Sequence, residues 1–179
     1  MLIDKVKSAI RDVKDFPKEG IVFKDITPIM LDPKLSNEIV DFLYNFYAEQ
    51  NIQAVAGVES RGFLFGYPLA MRLGVPFILI RKKGKLPYDK IQHSYDLEYG
   101  SAEIEMHTDA VKKGQRILIH DDLLATGGSA EAAANLITKC GGELVGFNFL
   151  VALDFLNGKD KLEKFSSNIE AIIHYQKEK

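Results

Sequence analysis

The chain has no tryptophan and one cysteine, Cys140, among its 179 residues. A single thiol excludes an intrachain disulfide framework and fits a reducing compartment. No apolar run reaches the roughly 18 residues that a membrane-spanning helix needs. The opening MLIDKVKSAIRDV interleaves charges with apolar residues, so it lacks the unbroken apolar stretch of a secretory signal. The expectation is a cytoplasmic chain with no membrane partner. No charge sign dominates: 23 Lys+Arg stand against 25 Asp+Glu, a formal net charge of -2. That argues against a general nucleic-acid binder, yet leaves room for a local basic pocket that takes a phosphorylated metabolite. Repeats and low-complexity tracts are missing too. So are the two common nucleotide fingerprints, GxxxxGK[ST] and GxGxxG.

What is present is an ordinary globular balance, 46% hydrophobic and 27% charged, in a length that suits one domain. Leu2, Val6, Ala9, Ile10 and Val13 share one helical face, which predicts a helix over 2–13 that ends before Pro17 and Gly20. GIVFKDITP, 20–28, reads equally as loop or strand. Asp32 is placed to cap a helix with Pro33 in its first turn, and Leu35, Ile39, Phe42, Leu43 and Phe46 repeat at helical spacing. AVAGV (54–58), PFILI (76–80) and RILIHDD (116–122) are short apolar runs of the kind that parallel strands show when helices cover both faces. GFLFGYPLAMRL (62–73) and SAEAAANLITKC (129–140) read as helices, the second stopped by Gly141 and Gly142. The polar stretch 81–101 reads as a loop or loose hairpin, AEIEMH (102–107) as an alternating strand, and 143–155 and 169–175 as strands around a short helix near 160–165. Strands alternating with helices predict an α/β fold with a central, mostly parallel sheet flanked by helices.

The chemistry concentrates in ILIHDDLLATGGS, 117–129. A buried strand runs into two carboxylates, Asp121 and Asp122. A glycine-containing turn follows, and then a helix begins. The C-terminal ends of strands in open α/β sheets are where ligands bind. Gly127 and Gly128 permit a tight turn, so backbone N–H groups from Ala125 to Ser129 converge at a helix N-terminus, an anion site by geometry and dipole. Thr126 and Ser129 add hydroxyls. Two acids beside an anion hole make sense if the ligand also carries hydroxyls or a hard cation such as Mg²⁺. The plainer alternative is a solvated acidic pair before a capped helix.

ILIHDDLLATGGS resembles the PRPP-binding motif of the type I phosphoribosyltransferases. GIVFKDITP (20–28), GVESRGFLFG (57–66), RKKGKLP (81–87) and LEYGSAEIEMH (97–107) are similar, in order and spacing, to the adenine phosphoribosyltransferase family, and the resemblance covers essentially the whole chain. It implies the type I fold in a single domain over 1–179, with a small N-terminal hood about 1–32 and a flexible lid about 84–101. It implies transfer of the 5-phosphoribosyl group of PRPP to N9 of adenine, giving AMP and diphosphate in purine salvage. Mg²⁺ is the implied cofactor and a homodimer the implied assembly.

Residue by residue, the resemblance implies that Ala125, Thr126, Gly127, Gly128 and Ser129 hold the 5′-phosphate of PRPP or AMP. Asp121 and Asp122 would face the ribose hydroxyls, directly or through Mg²⁺ and water. Glu59 and Ser60, in a turn that often contains a cis peptide, would meet diphosphate with Arg81, Lys82 and Lys85; taken alone, RKKGK reads as well as a solvated charge run. Arg61 would approach the purine region. Phe23 would stack on adenine, the backbones of Val22 and Lys24 would read its edge, and Leu123 would pack on the other face. Glu98 resembles the proposed general acid toward adenine N7, with Tyr99 closing beside it and Tyr95 in the same lid; a lone glutamate is otherwise a solubility residue. The chain departs from the family pattern at Lys24 (commonly arginine), Ser129 (commonly threonine) and His120 (commonly aliphatic).

Two rival readings stand beside this one. A phosphoribosyltransferase for hypoxanthine, guanine or xanthine would need a donor aimed at the 6-oxygen, which VFKD and EYG do not suggest. A PRPP-responsive regulator would need an added nucleic-acid-binding element, and no spare segment or basic stripe supplies one.

Overall fold

The structure is a computed structural model, which describes residues 1–96 and 101–177. The chain divides into two compact units, 1–46 and 47–179.

In the first unit, helix α1 (Leu2–Ala9) is followed by strands β1 (Arg11–Lys14) and β2 (Val22–Asp25), the short helix α2 (Thr27–Met30) and the long helix α3 (Pro33–Tyr47), whose last residue enters the second unit. The predicted first helix is therefore shorter than its apolar spacing suggests. It ends at Ala9 because Arg11–Lys14 pair antiparallel with Val22–Asp25, with Val13 opposite Phe23. Backbone bonds to a partner strand override a helical side-chain period here. Asp32 caps α3 as expected: its Oδ1 accepts the N–H groups of Lys34 and Leu35, each at 3.0 Å.

The second unit holds β3 (Ala54–Val58), α4 (Gly62–Leu73), β4 (Phe77–Lys82), β5 (Lys90–Asp96), β6 (Ser101–His107), β7 (Arg116–Leu124), α5 (Gly128–Lys139), β8 (Glu143–Leu153), α6 (Gly158–Leu162) and β9 (Ile169–Tyr175). Its seven-stranded sheet has the order β5-β6-β4-β3-β7-β8-β9. The neighbours from β4 through β9 pair in parallel, whereas β6 runs antiparallel to both β4 and β5. The polar stretch read as loop or loose hairpin thus contains a full strand, β5, paired over seven residues with β6. Its alternating polar side chains hid it, because one face of an edge hairpin needs no apolar residues.

The sheet is covered on both faces. Ala54, Ala56, Val58, Ile117 and Ile119 lie in one buried cluster with Ala130, Ala133, Leu136 and Ile137 of α5. On the other face, α4 comes close through Gly62 and Gly66, one helical turn apart. A Cβ on Gly62 would lie 2.8 Å from the His120 carbonyl oxygen, and one on Gly66 would lie 3.3 Å from His120 Cδ2. A side chain at Gly62 would meet the main chain of β7, and one at Gly66 would press on the Phe77 and His120 rings. Gly74 then closes α4 in the left-handed conformation, φ 70°. Among the described residues no helix is long and apolar enough to cross a membrane.

Candidate active site

Strand β7 runs two residues past the acidic pair, so Asp121 and Asp122 sit inside the strand and the turn begins after Leu124. Gly127, φ 80°, is the residue before α5, and the N–H groups that open this twelve-residue helix face the turn. A cavity of about 140 Å³ is lined by Leu123 to Ala130 together with Tyr95 of β5. A larger cleft of about 440 Å³ shares Tyr95, Leu123, Ala125 and Ser129 with it, and adds Glu59, Ser60, Arg61, Lys82, Asp121 and Asp122. That is the size range of a small-molecule site.

Both acids are buried. Asp121 Oδ1 accepts the Asp122 N–H at 2.8 Å, and Arg61 Nε reaches Asp122 Oδ2 at 2.7 Å. Burial, and then the charge of Asp122, push the Asp121 carboxyl well above its ordinary range. Burial also raises Asp122, with the Arg61 guanidinium opposing it. Two desolvated carboxylates side by side, with Arg61 paired to Asp122, make the cleft favour positive charge or hydroxyl donors. This donor set fits Mg²⁺. Among the described residues no group of three or more potential metal-ligating side chains occurs, and Mg²⁺ characteristically binds through one or two carboxylates plus water and substrate phosphate oxygens.

The diphosphate candidates divide in two. Glu59 and Ser60, joined by a cis peptide, line the cleft with Lys82. Arg81 is instead committed to Glu59: its Nε and Nη2 donate to the two carboxylate oxygens at 3.1 and 3.3 Å, while Nη1 donates to the Lys85 carbonyl at 3.1 Å. The Lys82 N–H also donates to Glu59, at 2.9 Å. Burial alone would raise the Glu59 carboxyl, but these donors and the nearby Lys85 charge bring it below its ordinary value. Arg81 thus holds the Glu59–Ser60 turn, and Lys85 contributes its carbonyl to the same brace.

In the first unit, Val22 is exposed, and Phe23 packs edge-to-face on Phe16 with ring centroids 5.2 Å apart. The Lys24 side chain, 8% exposed, pairs with Asp12 at 2.7 Å. Its ammonium is therefore occupied within β1–β2. Glu98 and Tyr99 lie outside the described residues. Tyr95 faces Asp121 closely enough that burial, and then the Asp121 charge, raise its phenol.

Sequence reasoning passed over one residue that the structure brings to the site's frame, Glu105, and left the role of a second, His120, open. Glu105 sits in the alternation of AEIEMH, which assigns it to an open face, yet it is fully buried. Its Oε1 accepts the N–H groups of Lys85 and Leu86, at 2.9 and 2.6 Å, and so pins the end of the RKKGK turn. His120, whose role the sequence left open, is fully buried beneath α4 and hydrogen-bonds Asn148 Oδ1 through Nδ1 at 2.7 Å; Asn148 in turn interacts with the Tyr47 hydroxyl. Nε2 has no partner among the described residues. No periodicity signals either role, because both depend on strands far apart in sequence.

The parallel sheet, the turn before α5 and the buried acid pair define a phosphoribosyl transferase domain, and the model of the family so described matches residues 29–174. Over 175 residues the chain is 52% identical to adenine phosphoribosyltransferase of Cytophaga hutchinsonii, covering 98% of this chain and 97% of that one. The crystal structure of adenine phosphoribosyltransferase from Thermoanaerobacter pseudethanolicus superposes with a TM-score of 0.93 at 45% identity, covering 97% of this chain and 99% of that one. The Saccharomyces cerevisiae enzyme, solved with adenine and an imino-altritol bisphosphate, gives 0.89 at 39% identity over 96% of this chain and 98% of its own. The chain belongs to the adenine phosphoribosyltransferase family.

Proposed function

We infer that this chain is an adenine phosphoribosyltransferase, a pentosyltransferase that moves the 5-phosphoribosyl group of PRPP to N9 of adenine and releases diphosphate. The observation that carries this reading is the buried Asp121–Asp122 pair directly ahead of an open helix N-terminus, inside a cleft that also holds Glu59, Arg61 and Lys82. Backbone N–H groups from Ala125 to Ser129, with the Thr126 and Ser129 hydroxyls, receive the 5′-phosphate. Asp121 and Asp122 accept the ribose hydroxyls. Asp121 and Asp122 would hold Mg²⁺, directly or through water, and the ion would supply positive charge to the diphosphate. Ser60, Lys82 and Lys85 face the diphosphate, and Arg81 acts by bracing Glu59. Arg61 and Leu123 serve the base.

Diphosphate leaves C1′ as adenine N9 arrives from the opposite face, so the protein chiefly positions two reactants and stabilises charge. Forming the N9–C1′ bond leaves the purine one proton in excess; Glu98 accepts it at N7 in this direction and returns it in the reverse, and Tyr99 closes beside it. The test is product formation from PRPP, Mg²⁺ and a panel of purines: AMP is expected from adenine, and IMP, GMP or XMP formed in its place would overturn the base assignment. Glu98→Gln is expected to slow turnover with little change in KM, and unaltered chemistry-limited turnover would remove Glu98 from the proton transfer.

The assembly is a homodimer in the cytoplasm. Support for the dimer comes from α4, where Leu64, Tyr67 and Met71 share one outward face, 41%, 52% and 65% exposed, with Leu79 of β4 also exposed. A cluster of this kind marks an interaction surface.

A further inference from the structure

We propose that Gly158, thirty-one positions beyond Gly127 in the chain, is a positioning residue for the phosphate turn. The proposal rests on the reading of Ala125–Ser129 as the 5′-phosphate cradle. Gly158 is the first residue of α6 and is buried. Its backbone is not in the left-handed region, so no conformational rule demands glycine there. Alanine would in fact be the better helix former. What excludes a side chain is the turn itself. A Cβ on Gly158 would overlap the Ala125 carbonyl oxygen and lie 2.9 Å from the Gly127 nitrogen and 3.0 Å from Leu124 Cδ1.

The exclusion is mutual, since a Cβ on Gly127 would lie 2.5 Å from the Gly158 carbonyl oxygen. Two backbones therefore pack with no side chain between them. Leu124 lines the phosphate cavity on one side of the turn. It also lines, with Gly158, a separate cavity of about 290 Å³. Nothing softer than main chain lies between Gly158 and the turn, so a methyl group at 158 has to move the turn. The first N–H groups of α5 would move with it. An anion site made of backbone N–H groups tolerates little displacement, because direction as well as distance sets each bond.

Two measurements test this. The first is hydrogen exchange of the unsubstituted protein with ribose 5-phosphate. Slowing is expected at 125–130 and also at 158–162. No slowing at the turn overturns the phosphate reading itself; slowing at the turn without α6 overturns the role of Gly158. The second is kinetics of Gly158→Ala, with Lys161→Gly as the control that weakens α6 from its exposed side. Gly158→Ala is expected to raise KM for PRPP about tenfold or more while KM for adenine holds. Lys161→Gly is expected to lower Tm and leave both KM values alone. A folded Gly158→Ala with unchanged KM for PRPP, or an equal rise in Lys161→Gly, overturns the proposal. If Gly158→Ala does not fold, the exchange experiment decides alone.

Discussion

Asp121 and Asp122 are where binding and stability pull apart. Their folded-state values are raised by burial, so the folded chain binds protons that the unfolded chain has released. Stability contributed by the pair therefore falls as pH rises above the ordinary carboxylate value of 3.8. Asp121→Asn is expected to raise Tm at neutral pH without ligand, by a margin that shrinks on acidification, while weakening PRPP binding. Thermal melts across pH, paired with PRPP titration, check both halves; a lower Tm at pH 7 would show that the pair is not under electrostatic strain. His120 has the opposite sign. Burial pushes its imidazole down from 6.5 to about 4, with the Asn148 bond partly opposing. Its contribution is intact above the unfolded value and is lost as pH falls through the folded one. His120→Gln, which cannot titrate, should gain on the parent by on the order of 3 kcal/mol between pH 7 and the acid limit. Parallel denaturation profiles for the two proteins would contradict this.

At the scale of elements, the basic turn after β4 is held from below by β6. Glu105 is fully buried and accepts two backbone N–H groups, so a neutral isostere weakens charge-assisted bonds without leaving a hole. Glu105→Gln is expected to cost about 2 kcal/mol in urea unfolding. It should also raise KM for PRPP more than KM for adenine, because the Lys85 and Leu86 backbone is held less firmly. A stability loss with both KM values unmoved would confine Glu105 to the fold. The same element logic explains α4. Gly62 and Gly66 trade helix propensity for close approach to β7, and His120 fills the space they leave.

For the whole molecule, the exposed row Leu64, Tyr67 and Met71 on α4 predicts that copies associate through this face. Light scattering at micromolar concentration is expected to give a dimer for the parent. Met71→Lys is expected to shift it toward monomer, since a charged side chain is costly to bury at an interface. A monomeric parent would sink the dimer, and a dimeric Met71→Lys would move the interface elsewhere.

Much of this was legible in the sequence because the signals were local. Strands β3, β4 and β7 each contain an unbroken apolar run, AVAGV, FILI and ILI, α3 carries its own Asp32 cap, and the phosphate turn is contiguous with the acids that precede it. What escaped was non-local. The first helix stopped at Ala9 because a partner strand claimed the following residues, and β5 was hidden by its polar side chains. Glu105 looked exposed until β6 was laid under the basic turn. The sequence by itself determined which groups are available: two carboxylates, a turn rich in glycine, an apolar core for a parallel sheet. Only the tertiary structure decided that Arg61 pairs with Asp122, that Arg81 is spent on Glu59, and that Gly158 backs the phosphate turn. Those outcomes depend on which distant backbones come within contact range, and that is set by packing rather than by any residue's neighbours along the chain.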